Sequence, residues 1–482
     1  MTSSRRLRAF KRWMNSQGVE YSGEALKFVD SIEEGISVRA LRDLKEGEVV
    51  GSIPKSACLT IKNSGACELI ETAELGGYLG LAVAIMYEKS LGEESPWAGY
   101  LQVLPERESL PLVWTLDEVD HFLCGTELHK IVKEDKALIY EDWKESILPL
   151  LDLWPLNPTF FGVEQYFASK SLVASRAFEI DNYHGFGMVP LADLFNHKTG
   201  AEDVHLTSVS SHSESDNTDD SDLDGLPTEC GVYEKPSSGS ERSMILEMIM
   251  VKDVKAGAEV FNTYGSMGNA ALLHRYGFTE PDNEYDIVNI DLELVLQWSS
   301  TLFSDRYSRA RLALWRRLDY SSCVSQNAEY FEISFDGKPQ VELLSLLHIM
   351  LLQEDLYHKL DLSLSTASHH KESMNVILLE KCGATLDKSS EISRDLLLTE
   401  EVCRALLWLA DKRESFYGLK STQDDIGARK RCDMKERKQY HSLMLRVSER
   451  KILKRLRSYV SYGARSLKTS KKTSARKRLK GN

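Results

Sequence analysis

Hydrophobic positions follow two different spacings along the chain, and the changes between them divide it into segments. Residues 31–60 place short β-branched and apolar runs between glycine-containing turns, which predicts several short strands. Residues 68–175 are rich in Leu, Ala and Glu at helical spacing, and LGGYLGLAVAIMY (75–87) predicts a core helix too short to cross a bilayer. Strand-like spacing returns at 183–206 and at 243–264, where we expect a strand, a turn and a second strand.

The remaining segments are helical, basic or acidic. Residues 1–19 predict a basic amphipathic helix, and VELLSLLHIMLLQEDLYHKL (341–360) is the most strongly amphipathic part of a helical stretch that begins near residue 290. Residues 208–241 are rich in Ser and Asp and cannot bury enough apolar surface to order themselves, so we expect a flexible loop. The predicted organisation is a domain over 20–290 with a helical insert at 68–165, a helical domain over 291–460, and a basic disordered tail over 461–482.

Charge and cysteine content narrow the classes of function. The formal charge of −13 conceals a tail, residues 429–482, with 20 Lys and Arg against 3 Asp and Glu, which leaves about −30 on the remainder. Such an acidic body argues against a general nucleic-acid binder and suits a basic protein as substrate, while the tail itself could contact nucleic acid or direct the chain to the nucleus. The eight cysteines form no C-x-C or C-x-x-C pair, so we expect reduced thiols and no metal site.

Two segments carry candidate chemistry after the standard nucleotide, hydrolase and metalloprotease motifs are found to be missing. In MVPLADLFNHK (188–198), Asp193, Asn196 and His197 interrupt an apolar run, and buried polar groups need partners. A capped helix end under a loop is the ordinary explanation for such a pattern. The second segment, EVFNTYGSMGNAALLHRYGF (259–278), contains Tyr264 and Tyr276 around a glycine turn.

Together these segments resemble the two signature motifs of the SET domain. The resemblance is to the branch typified by the Rubisco large-subunit lysine methyltransferase and the ribosomal-protein lysine methyltransferases. EEGISVRALRDLKEGEVVGSIPKSACLT (33–60), SPWAGYLQVLP (95–105) and ASRAFEID (174–181) match further parts of that branch in the same order. The resemblance covers about residues 20–460 and implies an α+β fold: a SET β-fold split by a helical insert and followed by an all-α substrate-binding domain.

The resemblance implies that S-adenosyl-L-methionine is the cofactor and assigns residues to its parts. Arg176 would pair with the methionyl carboxylate, because a guanidinium fork fits two oxygens. The side-chain carbonyl of Asn196 would accept from the ammonium group, and the backbone of His197 would serve the adenine edge. Backbone groups close to the cofactor would come from the first turn, Glu34, Gly35 and Ile36. On this hypothesis the cofactor satisfies the interrupted apolar run.

The family pattern also assigns the chemistry. Tyr264 matches the catalytic tyrosine, whose phenol oxygen orients a lysine ε-amine. Tyr276 matches a second aromatic lining the lysine channel, although core packing of a helix is the alternative. Asp193 corresponds to a position near the substrate amine, and a helix N-cap is its alternative. The family usually has Gly-x-Gly in the first turn, whereas this chain has Ser37 second, at a cost of about 1 kcal/mol if that position needs a positive φ.

The leading prediction is a lysine methyltransferase that acts on a non-histone protein, such as a ribosomal or chromatin-associated one. A histidine methyltransferase on the same fold is one alternative. A scaffold protein without catalysis, which uses the helical half and basic tail to hold a partner, is another. The basic tail favours the nucleus over the cytoplasm, and a chloroplast location is the weakest option. Trp97 is expected to pack the helical insert rather than to touch substrate.

Overall fold

The computed structural model describes residues 2–31, 35–208, 244–317, 330–366 and 394–478, with the backbone alone for 2–4, 363–366, 395–396 and 463–478. The chain divides into two compact units, Met1–Glu108 with Ile139–Gly265 and Ser109–Leu138 with Ser266–Asn482. These boundaries differ from the predicted ones in two ways. Part of the helical insert groups with the C-terminal unit, and the first unit ends at Gly265 rather than near residue 290.

The first unit combines short strands with helices in the order that the spacing predicts. Its strands are β1 (Glu20–Tyr21), β2 (Leu26–Ser31), β3 (Gly35–Ala40), β4 (Val49–Pro54), β5 (Leu59–Thr60), β6 (Ala177–Asp181), β7 (Gly185–Met188), β8 (Val204–Ser208) and β9 (Ile245–Met250). Its helices are α1 (Thr2–Ser16), α2 (Cys67–Thr72), α3 (Gly77–Leu91), α4 (Ala98–Leu101), α7 (Leu150–Leu153) and α8 (Val163–Arg176).

Three antiparallel arrangements build the β part of this unit. They are a four-stranded sheet in the order β1-β4-β9-β8, a three-stranded sheet in the order β5-β7-β6, and the pair β2-β3. Strands β5 and β6 flank β7 although more than a hundred residues separate them in sequence, because the helical insert lies between them. The predicted β-fold split by a helical insert is therefore present in this unit.

The core of the first unit joins helices and strands. Residues 80–86 of α3 are buried, so the prediction of a core helix over 75–87 is confirmed. The predicted N-terminal helix is also confirmed: α1 buries Phe10 and Met14 in this core and leaves its four arginines exposed. Trp97 is 5% exposed and its indole Nε1 donates to the carbonyl of Ala57 at 3.1 Å, in agreement with a packing role.

One strand prediction is wrong. The sequence favoured a second strand after β9, but residues 251–264 form only isolated bridges, Arg39–Glu259, Leu44–Val254 and His197–Asn262. The backbone of this segment bonds to Asp203 at Val251, then to the loop after β3, then to β3 itself, and finally to the segment at 196–203 again. Because the partner changes every few residues, no continuous ladder forms, although the apolar alternation is that of a strand.

The second unit is mostly helical. Its elements are α5 (Leu116–Leu123), α6 (Leu128–Asp142, which continues into the first unit), α9 (Asn269–Tyr276), β10 (Val288–Asp291), α10 (Leu292–Ser300), α11 (Asp305–Arg317), β11 (Tyr330–Ile333), α12 (Val341–Met350), α13 (Glu354–Thr366), α14 (Arg394–Leu397), α15 (Glu400–Ser415), α16 (Thr422–Arg431) and α17 (Arg437–Arg478). Capping boxes start two of these helices: Thr115 with Glu118 before α5, and Ser421 with Asp424 before α16.

Two features of this unit differ from the prediction. Helix α12 is buried at every position from Leu343 to Met350, so the expected amphipathic helix is instead a core helix that ends before α13 begins. Helix α17 continues to Arg478, past the expected start of a disordered tail at residue 461. Its Lys, Arg, Ala and Ser residues are compatible with a helix, and it has no proline to end one.

A buried cluster of charges lies between α15 and α17. Glu449 accepts the backbone N–H of Glu127 at Oε1, at 3.2 Å, and pairs through Oε2 with Arg413 at 3.4 Å and with the hydroxyl of Tyr417. Burial and the charge of Glu449 raise the pKa of Glu127 well above its ordinary value. Burial likewise raises the pKa of Glu449, and Arg413 opposes that shift. One arginine therefore serves two buried carboxyls.

Candidate active site

The segment after β7 makes a tight buried turn that presents the first signature residues. Ala192–Leu194 form one turn of 3-10 helix, and the preceding Leu191 has φ of 77° and ψ of −51°. That backbone conformation costs a non-glycine residue about 1–3 kcal/mol and persists only where the surroundings enforce it. A Cβ on Gly51 would lie 2.7 Å from Cδ2 of Leu191, so the glycine in β4 makes room for this strained leucine.

The second signature segment lies alongside the first. His197 and Asn262 form a parallel bridge, and the backbone N–H of Asn262 donates to the carbonyl of Asn196 at 2.9 Å. The amide Nδ2 of Asn196 donates to Oε1 of Glu259 at 2.8 Å, which leaves its carbonyl Oδ1 as the acceptor end. The two motifs therefore meet in one place despite the long stretch of chain between them.

His197 holds Tyr264 through its ring. The backbone N–H of Tyr264 donates to Nδ1 of His197 at 2.9 Å, and the two rings stack with centroids 5.0 Å apart. The Tyr264 hydroxyl donates to the carbonyl of Phe195 at 3.1 Å, so its phenol oxygen lies against the first motif. The side chain of His197 thus orients the tyrosine, a role that the sequence did not indicate.

Arg176 at the end of α8 lies between two carboxylates. Its Nε donates to Oε1 of Glu108 at 2.6 Å, and its Nη1 donates to the carbonyl of Asp193 at 3.1 Å and to Oδ2 of Asp193 at 3.3 Å. The hydroxyl of Tyr100 donates to the same Oδ2 at 2.8 Å. Within the described residues, Nη2 of Arg176 and Oδ1 of Asp193 have no hydrogen-bond partner.

Electrostatics couple these four side chains. Burial raises the pKa of the Asp193 carboxyl, and the charge of Arg176 opposes that shift. Burial disfavours the charged form of Arg176, yet the carboxylates of Glu108 and Asp193 together raise its pKa above the ordinary value. Burial and the nearby charge of Asp193 raise the pKa of Tyr100 well above 10, so its hydroxyl stays protonated and donates.

These contacts correct two expectations for the polar residues of the first motif. Protein groups, rather than a cofactor alone, satisfy Oδ2 of Asp193, Nδ2 of Asn196 and Nδ1 of His197. Asp193 is not a helix N-cap either, because Leu191 occupies that position and the Asp193 carboxylate points to Tyr100 and Arg176. Its predicted contact with a substrate amine stays a prediction.

The predicted cofactor turn is described from Gly35 onward. Gly35 has φ of 77°, where a side chain is disfavoured. Among the described residues, and apart from its chain neighbours, no atom lies within 4 Å of the point that a Cβ would occupy. Ile36 and Ser37 continue as strand β3, and Ser37 pairs with Val29 at an ordinary negative φ. The condition for strain at Ser37 is therefore not met, since only the first of the two positions has the left-handed conformation. Glu34 lies outside the described residues.

Strand β3 also lies beside the turn at 192–194. Neighbouring elements of the first unit therefore hold six of the predicted site residues: Gly35, Ile36, Arg176, Asn196, His197 and Tyr264.

Tyr276 is instead half-buried at the end of α9 in the second unit, with its ring centroid 6.4 Å from that of Phe278. Its place in a lysine channel stays a prediction. Sequence reasoning missed Tyr100, Glu108 and Glu259, which are 93, 68 and 63 residues from their partners.

The described residues contain no group of three or more His, Cys, Asp or Glu side chains arranged to hold a metal ion. Nor is any helix in the described ranges both long enough and apolar enough for a bilayer crossing.

Sequence comparisons find relatives that are named as lysine methyltransferases. The N-lysine methyltransferase setd6 of Xenopus tropicalis is 27% identical over 331 residues, which are 64% of this chain and 65% of that protein. The chain thus spans slightly less than two thirds of that relative. The Bos taurus protein of the same name is 25% identical over 440 residues, 83% of this chain and 89% of its own length. Ribosomal lysine N-methyltransferase 3 of Saccharomyces cerevisiae is 25% identical, over 64% of this chain and 68% of its own.

Comparisons of structure agree with these matches. The SET domain of LSMT, solved bound to lysine and AdoHcy, superimposes with a TM-score of 0.67 at 21% identity, covering 96% of this chain and 92% of that one. The structure of Rubisco LSMT with AdoMet gives 0.64 at 19% identity, covering 95% and 92%. This likeness confirms the predicted α+β SET fold. No family model matches the chain.

Proposed function

We propose that this chain, related in sequence and in fold to the SET-domain lysine methyltransferases, is itself a protein-lysine N-methyltransferase that uses S-adenosyl-L-methionine. The observation that carries the proposal is the meeting of the two signature segments in the first unit. There, His197 holds the backbone of Tyr264 and Phe195 holds its hydroxyl, 3.1 Å from the carbonyl oxygen. The names of the relatives support the same activity.

The residues present fit the proposed cofactor. Nη2 of Arg176 has two N–H groups for its carboxylate, and the Asn196 carbonyl can accept from its ammonium group because Nδ2 is turned to Glu259. The open space at Gly35 lets the backbone of Gly35 and Ile36 approach a ligand. The backbone of His197 would serve the adenine edge, and Glu34 is proposed as a further contact on the family pattern. When bound, S-adenosyl-L-methionine supplies an electrophilic methyl group on a sulfonium.

The protein's part is to present a neutral amine in line with that methyl group. A free lysine has a pKa of about 10.4, so a site must remove a proton by desolvation and nearby positive charge. We assign Tyr264 to orient the ε-amine through its phenol oxygen, with Asp193 near the amine and Tyr276 lining the channel. Alignment of the two reactants and exclusion of water are the protein's further contributions to the rate.

Methylation of a whole-cell extract with labelled cofactor tests the proposal. We expect the wild-type chain to label proteins on lysine, as located by fragment-ion mass spectrometry, and Tyr264→Phe to lose most labelling while it still binds cofactor. Tyr166→Phe is a matched control, since Tyr166 is a buried tyrosine of the same unit outside the site. Label on histidine would replace the lysine assignment, and absence of cofactor binding at millimolar concentration would favour a scaffold.

We also propose a basic protein substrate and a nuclear location. The charge of about −30 outside residues 429–482 favours a basic partner such as a ribosomal or chromatin-associated protein. The basic C-terminal segment supports a nuclear address, with the cytoplasm as the alternative. Fluorescent tagging with and without residues 465–482 tests the address. An unchanged distribution would remove the nuclear argument.

A further inference from the structure

Tyr100, like Glu108, is a residue of the Arg176 cluster that comes from the helical insert. It lies in α4, is fully buried, and gives its hydroxyl hydrogen to Oδ2 of Asp193 at 2.8 Å. Its ring packs against α1, with centroids 6.1 Å from Phe10 and 5.9 Å from Trp13. The hydroxyl is therefore held from behind by the core and is aimed at one carboxylate oxygen.

That oxygen is shared with the guanidinium. Oδ2 of Asp193 accepts from Tyr100 and also from Nη1 of Arg176 at 3.3 Å, while Glu108 takes Nε at 2.6 Å. A guanidinium is planar, so fixing Nε and Nη1 also fixes the direction of Nη2. Nη2 is the nitrogen with no hydrogen-bond partner among the described residues, and it is the one available to a ligand carboxylate.

We propose that Tyr100 is a positioning residue of the cofactor site. Its hydroxyl fixes the Asp193 carboxylate, Asp193 fixes Nη1 of Arg176, and the planar guanidinium then keeps Nη2 directed toward the carboxylate of S-adenosyl-L-methionine. This inference rests on the proposed function and adds to it a residue outside the signature motifs. Tyr100 touches neither cofactor nor substrate in this arrangement. It acts through Asp193.

The charges around Asp193 should make the effect of Tyr100 on cofactor affinity depend on pH. The titratable groups that face its carboxyl are Arg176, Tyr100 and Glu108, and Cys58 faces Tyr100 from the other side. Burial raises the pKa of Asp193, while the charge of Arg176 and the hydrogen bond from Tyr100 oppose that shift. Loss of the Tyr100 hydroxyl raises the pKa of Asp193 further, so any change of cofactor affinity that follows Asp193 protonation moves to higher pH.

Calorimetric titration of the full chain with S-adenosyl-L-methionine, from pH 5 to 9, tests the proposal on Tyr100→Phe. We expect affinity about tenfold weaker than wild type near neutral pH, an inflection at higher pH, and a melting temperature close to wild type. The matched control is Tyr166→Phe, which removes a buried hydroxyl of the same unit that has no hydrogen-bond partner among the described residues. It should bind as wild type does.

Four results would overturn the inference. If wild type binds but Tyr100→Phe matches Tyr166→Phe in affinity and pH dependence, the positioning role fails and the proposed function stands. If wild type does not bind S-adenosyl-L-methionine, both fail. A double-mutant cycle with Asp193→Asn gives the third: we expect coupled effects, and additive ones would show that Tyr100 does not act through Asp193. If Tyr100→Phe does not fold, Asp193→Asn alone tests the same chain of contacts from Tyr100 through Asp193 to Arg176. An unchanged affinity for S-adenosyl-L-methionine in Asp193→Asn would overturn the inference.

Discussion

Tyr264 is fixed to His197 through its own backbone: the Tyr264 N–H donates to Nδ1 of the His197 ring at 2.9 Å, and the two rings stack. Because Nδ1 accepts, the proton of a neutral imidazole lies on Nε2, which is 3.3 Å from the hydroxyl of Thr199. The side chain of His197 thus has a structural role, in addition to the backbone role that the resemblance implies.

Replacing His197 should therefore destabilise the first unit. His197 is 7% exposed, and its ring supplies the acceptor for the backbone N–H of the half-buried Tyr264. His197→Ala removes that acceptor, at a cost of about 1–3 kcal/mol. Urea denaturation of wild type and of His197→Ala measures the loss in the free energy of unfolding. His205→Ala is the control, because the His205 side chain is 58% exposed and should give no change. Equal stability of His197→Ala and wild type would contradict the assigned duty.

Arg176→Lys should weaken cofactor binding by at least about tenfold, because one ammonium cannot serve two carboxylates and still present a fixed pair of N–H groups. The positive charge remains, so Asp193 keeps a cation beside it and the chain should stay folded. Calorimetric titration with S-adenosyl-L-methionine gives the affinity. Arg39→Lys, an exposed arginine of β3, serves as the matched control. An unchanged affinity in Arg176→Lys would remove the arginine from the proposed site.

Ser37→Gly should recreate the Gly-x-Gly pattern of the family without tightening cofactor binding. Ser37 lies in β3 at an ordinary φ, so a glycine there adds only freedom to the unfolded chain and costs about 0.5–1 kcal/mol. Cofactor affinity should stay the same. Ser37→Ala removes the hydroxyl alone and separates its contribution from that of backbone entropy. Tighter cofactor binding by Ser37→Gly would mean that the turn needs both glycines.

The charged cluster of the second unit should make stability depend on pH. The pKa of Glu127 is raised in the folded chain from 4.5, so its contribution to stability is fully present below 4.5 and is lost as pH rises through the folded pKa. Glu127→Gln keeps an acceptor for the Asn289 N–H but carries no charge. We expect it to exceed wild type in stability at pH 8 by on the order of 1–3 kcal/mol, and to converge with it toward pH 5.

Thermal denaturation between pH 5 and 9 measures that difference. Glu134→Gln is the control in the same unit, because the Glu134 side chain is 58% exposed and loses only a surface pair with Lys130. Parallel pH profiles for wild type and Glu127→Gln would indicate that Glu127 does not titrate in this range.

Local patterns predicted what depends on local sequence. The apolar run at 75–87 became the buried helix α3, and the two signature segments supplied Asn196, His197 and Tyr264 to neighbouring elements. The segment at 251–264 failed the same test, since its alternation is that of a strand but its hydrogen bonds go to several partners far apart in sequence. Spacing records which face of a segment is buried and does not record which partner covers it.

No local sequence pattern identifies the residues that support the site. Tyr100 and Glu108 lie in the helical insert, where one tyrosine and one glutamate among many have nothing local to distinguish them. Their importance arises when β6 and β7 bring the end of α8 and the turn at 192–194 beside the insert. Similarly, the strained φ of Leu191 depends on the missing side chain of Gly51, about 140 residues earlier.

The bond between Tyr264 and His197 joins residues 67 positions apart, and it is a link between segments rather than part of a sheet ladder. Closing the intervening loop costs entropy, so we expect this contact to form after local structure such as helix α3. During refolding from denaturant, far-UV circular dichroism should consequently recover before methyl transfer does. Catalytic competence then becomes a measure of the last step of assembly.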